Sequence, residues 1–182
     1  MDTYKPEVAE QALDAGAVIV NNIMGTKLTK RLVKTLISYN GAIVLMHIRG
    51  IPRTMQKNIR YQNLIKEINS ALKKSVDLCL DCGMKPNQIV LDPGIGFGKT
   101  VEHNLQIIKH LNTFGKLGYP LLMGTSRKSF IGAVLDKEVD HRLSGSLATV
   151  SASIMNGAHI VRVHDIKETK DVTTMTDAIV NA

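Results

Sequence analysis

Hydrophobic and polar positions along this chain fall into one repeating cadence. Leu28, Leu32, Val33, Leu36 and Ile37 recur at helical spacing and stop at Asn40-Gly41, which predicts an amphipathic helix and its end. A continuous apolar run follows, Ala42-Ile43-Val44-Leu45-Met46, and leads to His47. The same order opens the chain. Pro6 suits the first turn of a helix carrying Val8, Ala12 and Leu13, Gly16 suits its cap, and Ala17-Val18-Ile19-Val20 leads into Asn21-Asn22. Tyr61 through Cys82 reads as one long helix with Leu64, Ile65, Ile68, Leu72, Val76 and Cys79 on a single stripe, backed by Gly83. Ile89-Val90-Leu91 is the next strand, and it ends at Asp92.

Thr100 can cap the following helix, whose Leu105, Ile108 and Leu111 are expected to face inward. Gly118 then precedes Pro120-Leu121-Leu122-Met123, which runs into Gly124-Thr125-Ser126-Arg127-Lys128. Leu143, Leu147, Val150 and Ile154 predict a helix closed by Gly157. His159-Ile160-Val161-Arg162-Val163 then leads to His164-Asp165, and a last helix centres on Val172, Met175, Ala178 and Ile179.

Helix, glycine, unbroken apolar strand, polar cluster: strands without alternation are covered on both faces, as in parallel sheets wrapped by helices. Right-handed crossovers of this length give repeated βα units. The expected architecture is α/β, a barrel or a doubly wound sheet, in a single domain over residues 1–182. A parallel sheet gathers the carboxyl ends of its strands on one rim. That rim would bring together Asn21, His47, Asp92, Ser126, Arg127, Lys128, Arg162 and His164.

Composition narrows the picture. The net charge of +7 raises nucleic acid as a partner, yet Lys27, Lys30, Lys34, Lys66, Lys73, Lys74 and Lys109 are spread through helices and aromatics are only 4% of the chain. Neither a basic arm nor a stacking platform results, so no nucleic-acid partner is expected. No apolar run approaches the roughly 20 residues of a membrane span, and the first residues lack a signal-peptide core; a cytoplasmic protein is the expectation. Cys79 and Cys82 form a Cys-x-x-Cys near a helix C-terminus, where the dipole disfavours a thiolate. With no further ligands at matching spacing for zinc, packed helix cysteines are the expected reading.

The chemistry centres on Asp92-Pro93-Gly94-Ile95-Gly96-Phe97-Gly98-Lys99-Thr100. A phosphate loop needs four residues between its first glycine and Gly-Lys-Thr; Gly94 and Gly98 enclose three, and Pro93 stands where the longer spacing needs glycine. The alternating glycines also miss the dinucleotide pattern. What remains is a carboxylate at a strand's carboxyl end, followed by a backbone able to lie close to a ligand. Arg162 sits within an apolar strand, with Val161 and Val163 on the opposite face, so a buried arginine with an anionic partner is expected. His164 shares its face. Beside Ser126-Arg127-Lys128 this suggests a phosphate or pyrophosphate, while Asp92 and Asn21 suit the N–H edge of a nitrogen-rich ring. The inferred chemistry is displacement of a pyrophosphate-type group.

Six segments follow in one order: Asp2-Thr3-Tyr4-Lys5-Pro6-Glu7-Val8, Leu45-Met46-His47, Leu91 through Lys99, Ser126-Arg127-Lys128-Ser129, Arg142-Leu143-Ser144-Gly145-Ser146 and Arg162-Val163-His164-Asp165. In this order the chain resembles the dihydropteroate synthases, essentially from end to end. The resemblance implies a partial TIM-type (β/α) barrel of about five parallel strands with covering helices. It implies condensation of 6-hydroxymethyl-7,8-dihydropterin pyrophosphate with p-aminobenzoate, giving dihydropteroate and pyrophosphate. By motif, Asp2, Asn21 and Asp92 look like pterin-holding groups, with Met46 packed against the pterin and Lys128 as its cation. Ser126, Arg127 and Phe97 would border the p-aminobenzoate pocket, and Arg162 and His164 the pyrophosphate, with Val163 between them counted among the substrate-binding residues; Lys128, Arg162 and His164 are the expected catalytic groups.

The resemblance also implies Mg2+, with its protein ligand on an Asn-Val-Thr-Pro-Asp-Ser-Phe loop preceding this chain's first residues, and a homodimer. Asn22 stands where the family commonly has Asp. The chain would open where the family's third strand ends, and alone it is expected to have little or no activity. A corrinoid-type pterin methyltransferase shares the rim but has less reason to carry Ser126-Arg127-Lys128 together with Arg162-Val163-His164. A binding-only subunit is the alternative outside enzymes.

Overall fold

The computed structural model describes residues 1–25 and 28–182; Lys27, one of the lysines above, lies outside them. The elements alternate as the pattern predicts: α1 Pro6–Asp14, β1 Ile19–Asn22, α2 Lys30–Ser38, β2 Ala42–Met46, α3 Leu64–Asp81, β3 Ile89–Asp92, α4 Val101–Lys109, α5 Asn112–Gly115, β4 Leu122–Met123, α6 Ser129–Leu135, α7 Leu143–Met155, β5 Ile160–Val161 and α8 Ile166–Val180. Strands β1, β2 and β3 pair in parallel, with Asn21 opposite Val44 and Met46 opposite Asp92. Strands β4 and β5 pair in parallel, and a bridge from Leu91 to Leu121 joins the two groups. The described residues thus form an arc of five parallel strands in chain order, without closure into a barrel.

Local chemistry sets the element ends. Thr29, Asn63 and Thr100 accept a backbone N–H from the third residue on, capping α2, α3 and α4. On α3 the buried residues Leu64, Ile68, Leu72, Val76 and Cys79 form the expected stripe against the sheet. Together with Val20, Ile43, Leu45, Ile89, Leu91, Ile107 and Phe114 they make one contiguous core. Met24, Met46 and Ile48 form a second, smaller cluster at the strand ends, with Phe97 against it.

Three expectations need correction. Leu105 does not face inward: it is 40% exposed, and the buried positions on α4 are Asn104, Ile107 and Ile108. The inward face is shifted because Asn104 turns in to bond the glycine loop. The strands at the two ends of the arc are not covered on both sides, since Val18, Ile19 and Ile160 are exposed. Beyond β1 only Met1–Thr3 pair with the sheet, through Asn21, and β5 has a described strand on one side only. On α8 the buried residues are Thr169 and Thr176, while Met175 and Ile179 are exposed.

Cys79 is buried and Cys82 half-buried, both as free thiols, and burial pushes the Cys79 thiol up to about 12. They are packing residues. Among the described residues, no helix is long and apolar enough to cross a membrane.

Candidate active site

The rim of the arc collects the polar groups that end each strand. Asp92, the last residue of β3, is buried. Its Oδ1 accepts the Gly94 N–H at 2.7 Å. Burial raises the carboxyl pKa, opposed by Lys128, by that N–H, by Lys99 and by Arg162. One buried carboxylate therefore faces cations from three directions.

Lys128 follows β4. Burial lowers its pKa and the Asp92 charge opposes the fall. Its Nζ donates to the Ile95 carbonyl and lies 4.8 Å from the centroid of the half-buried Phe97 ring, a cation–π distance. Met46 is buried at the end of β2, in register with Asp92. Asn21 donates through Nδ2 to Asp2 Oδ1 at 3.1 Å, and its Oδ1 is buried with no hydrogen-bond partner among the described residues.

Arg162 departs from expectation. Its side chain is 58% exposed, and Nη2 donates to Asp2 Oδ2 at 2.8 Å. The reason is the arc: as β5 ends the sheet, Arg162 projects from an end strand instead of being enclosed. Its anionic partner is Asp2, which links the two ends of the rim. Burial raises the Asp2 pKa, but bonds from Arg162 and Asn21 outweigh it and the net shift is downward.

Arg127 also differs. Its guanidinium grips Asp165 with two bonds, Nε to Oδ2 at 3.1 Å and Nη2 to Oδ1, so its charge is already matched. The backbone of Arg127 is left-handed, with φ 55°. Ser146 Oγ accepts its N–H at 2.9 Å and Arg142 donates to its carbonyl at 3.0 Å. Ser126 Oγ lies 2.9 Å from His164 Nδ1, His164 is exposed, and Val163 is half-buried beside it. The turns after β4 and β5 are thus latched together by Arg127–Asp165 and Ser126–His164. Asn22 is fully buried; its Oδ1 accepts the Met24 N–H at 3.0 Å, and its Nδ2 has no partner among the described residues.

Sequence reasoning missed the supports. Asp165, Arg142 and Ser146 were visible only as motif letters, and nothing in their spacing revealed that they hold Arg127. Gln56 and Tyr61, which bond the glycine-loop carbonyls, carry no periodic signal. A cavity of about 890 Å³ lies elsewhere, along one face of α3, with His47, Tyr61, Lys66 and Ser75 among its lining residues.

No group of three His, Cys, Asp or Glu among the described residues could hold a metal ion. The nearest carboxylates are engaged already, Asp2 by Arg162 and Asn21, and Asp92 by Gly94. These residues do not fit a magnesium site.

A curved parallel sheet with a buried carboxylate, a half-buried lysine and an Arg–His pair at its strand ends has the active-site plan of an α/β barrel enzyme. Comparison with known proteins gives the family. A profile of pterin binding enzymes matches residues 1–164. The dihydropteroate synthase of Clostridium beijerinckii is 45% identical over 181 residues, which is 99% of this chain and 65% of that protein. Two crystal structures of Thermus thermophilus dihydropteroate synthase superpose closely. The complex with 6HMPPP has a TM-score of 0.91 at 36% identity, covering 97% of this chain and 70% of that one. The complex with 4-aminobenzoate has a TM-score of 0.92 at 36% identity, covering 97% and 68%. The chain belongs to the dihydropteroate synthases of the pterin-binding enzyme family. It spans somewhat less than two thirds of the length of the curated relative it matches.

Proposed function

We propose that this chain carries the substrate site of a dihydropteroate synthase, which joins a dihydropterin pyrophosphate to p-aminobenzoate and releases pyrophosphate. The observation that carries the reading is Asp92: a buried carboxylate at a strand end, acted on by Lys128, with Asn21 Oδ1, unpartnered among the described residues, on the same rim. Both oxygens suit the N–H groups of a pterin ring, and Met46 supplies apolar surface beneath them.

In the proposed reaction, Arg162 and His164 hold the pyrophosphate, and the charge that collects on it as the C–O bond breaks is stabilised by these donors. The arylamine nitrogen then bonds to the exposed methylene carbon and loses its proton to solvent. Phe97 and Ser126 border the arylamine, and Lys128 serves both the pterin and the departing charge. Arg127 acts by holding Asp165 and hence the turn that bears His164. The relatives whose structures contain 6HMPPP and 4-aminobenzoate support this assignment of the two substrates. Magnesium enters the proposal as a family property only, and no step is assigned to it.

A second reading, pterin binding without turnover, is favoured by the open arc, in which Arg162 is 58% exposed where catalysis calls for enclosure. The apolar exposed face of α7 and α8, with Met155, Met175 and Ile179, fits a second copy of the chain, and a cytoplasmic setting fits both readings. Pyrophosphate release on adding p-aminobenzoate to chain and dihydropterin pyrophosphate tests the choice. Release that depends on the arylamine supports the synthase. Calorimetric binding without release supports the second reading, and neither signal contradicts both.

A further inference from the structure

Lys99 is 3% exposed, an unusual place for an ammonium, and the site chemistry proposed above makes no use of it. Its Nζ donates to the Phe97 carbonyl at 3.0 Å, lies 3.1 Å from His47 Nδ1, and reaches the His47 carbonyl at 3.5 Å. It therefore ties the loop after β3 to the turn after β2. The loop is pinned elsewhere along its length. Lys128 bonds the Ile95 carbonyl, Gln56 the Gly96 carbonyl at 2.6 Å and Tyr61 the Gly98 carbonyl at 3.1 Å, while Asn104 Oδ1 accepts the Gly96 N–H at 2.8 Å. Of these donors to the loop, only Lys99 is itself part of the loop's end and buried beneath it.

We infer that Lys99 is a positioning residue for the pterin site: its buried ammonium staples the Pro93–Lys99 loop onto the His47 turn, fixing the Asp92 carboxylate and the Phe97 ring. The inference rests on the pterin-site reading. Its geometry is specific, because Gly94 lies so close to the His47 carbonyl that no side chain fits between them. The two connections are in backbone contact, and Lys99 bonds across that contact.

The charge state supports the role. Burial pulls the Lys99 pKa down to about 7, opposed by Asp92 and assisted by Lys128. The other titratable groups facing it are His47 at the end of β2 and His103 on α4. His47 is held neutral, its pKa pulled down to about 3 by burial, Lys99 and Arg49, so it accepts the bond at Nδ1. Raising the pH through about 7 removes the Lys99 charge and leaves two N–H donors for three acceptors.

The test combines amide hydrogen exchange with binding on the 182-residue chain. In Lys99→Met, exchange across residues 94–98 should quicken at least about tenfold, the worth of a single one of the buried charge-assisted bonds it loses, while α3 and α8 stay unchanged. Lys99→Gln, which keeps one donor near the Phe97 carbonyl, should fall between. Affinity for dihydropterin pyrophosphate should weaken about tenfold in Lys99→Met. The wild type should lose affinity above about pH 7, and that inflection should vanish in both variants. Unchanged loop exchange, or an inflection surviving in the variants, overturns the role of Lys99. Absence of pterin binding by the wild type overturns the function reading instead, and the exchange result still decides the staple.

Discussion

Gly94 and Gly118 offer a matched pair of substitutions that separates backbone conformation from close packing. Both are left-handed, with φ +73° and +83°. An alanine at either must adopt a conformation costing about 1–2 kcal/mol. Around Gly118 nothing lies within 4 Å of an added Cβ, so Gly118→Ala should cost about that and no more. At Gly94 the added Cβ would stand 1.9 Å from the His47 carbonyl oxygen. The carbonyl is main chain, so the two connections must part by more than about 1 Å to restore ordinary contact.

Parting them stretches the bonds that cross between them, from the His47 N–H to the Asp92 carbonyl and from Lys99 to His47, each worth about 1–3 kcal/mol when buried. Gly94→Ala should therefore cost about 4 kcal/mol or more. Thermal unfolding followed by far-UV circular dichroism measures both. The melting midpoint should drop by about 10 °C or more for Gly94→Ala and by roughly a third of that for Gly118→Ala. Equal losses in the two variants would show that the connections are not in the contact described, and the account of the loop would fail.

Other consequences follow from the same geometry. Arg162→Ala removes an exposed pair with Asp2 and should cost no more than about 1 kcal/mol of stability, yet it should abolish most pyrophosphate affinity; a large melting shift would mean Arg162 is structural. Arg142→Ala withdraws the donor to the left-handed Arg127 carbonyl and should weaken arylamine-dependent turnover or binding with little effect on pterin affinity, read by separate titrations. His47, with its folded pKa near 3 against an ordinary 6.5, binds more protons when unfolded. Stability should therefore rise with pH across that window and be lost as pH falls through it, by up to about 1.4 kcal/mol per unit. His47→Asn should flatten that limb in a pH series of urea melts.

How much of this was legible in the sequence varies with the kind of interaction. The order of elements was, because Leu64, Ile68, Leu72 and Val76 on α3 and the unbroken runs before Met46 and Asp92 carry the helix and parallel-strand periods directly. So was the gathering of Asp92, Lys128 and Arg162, since parallel strands must deliver their carboxyl ends to one rim.

Pairings between distant side chains were not legible. Nothing in the residues near Arg162 announces Asp2 as its partner, 160 positions away, nor Asp165 as the partner of Arg127. The mistaken burial of Arg162 has a physical origin. An apolar strand pattern implies neighbours on both sides, and β5 has a described neighbour on one. Leu105 failed for a similar reason, as a polar residue, Asn104, takes the inward position to bond Gly96. Lys99 was read for loop spacing alone, and its burial depends on how two connections stack in space.

Calorimetric titration of the chain with dihydropterin pyrophosphate, wild type against Asp92→Asn, tests the assignment most directly. Asp92→Asn keeps the shape and removes the charge, and losing about two charge-assisted bonds to the ring should weaken binding roughly a hundredfold. Binding of equal strength in both proteins would place the pterin somewhere other than this rim.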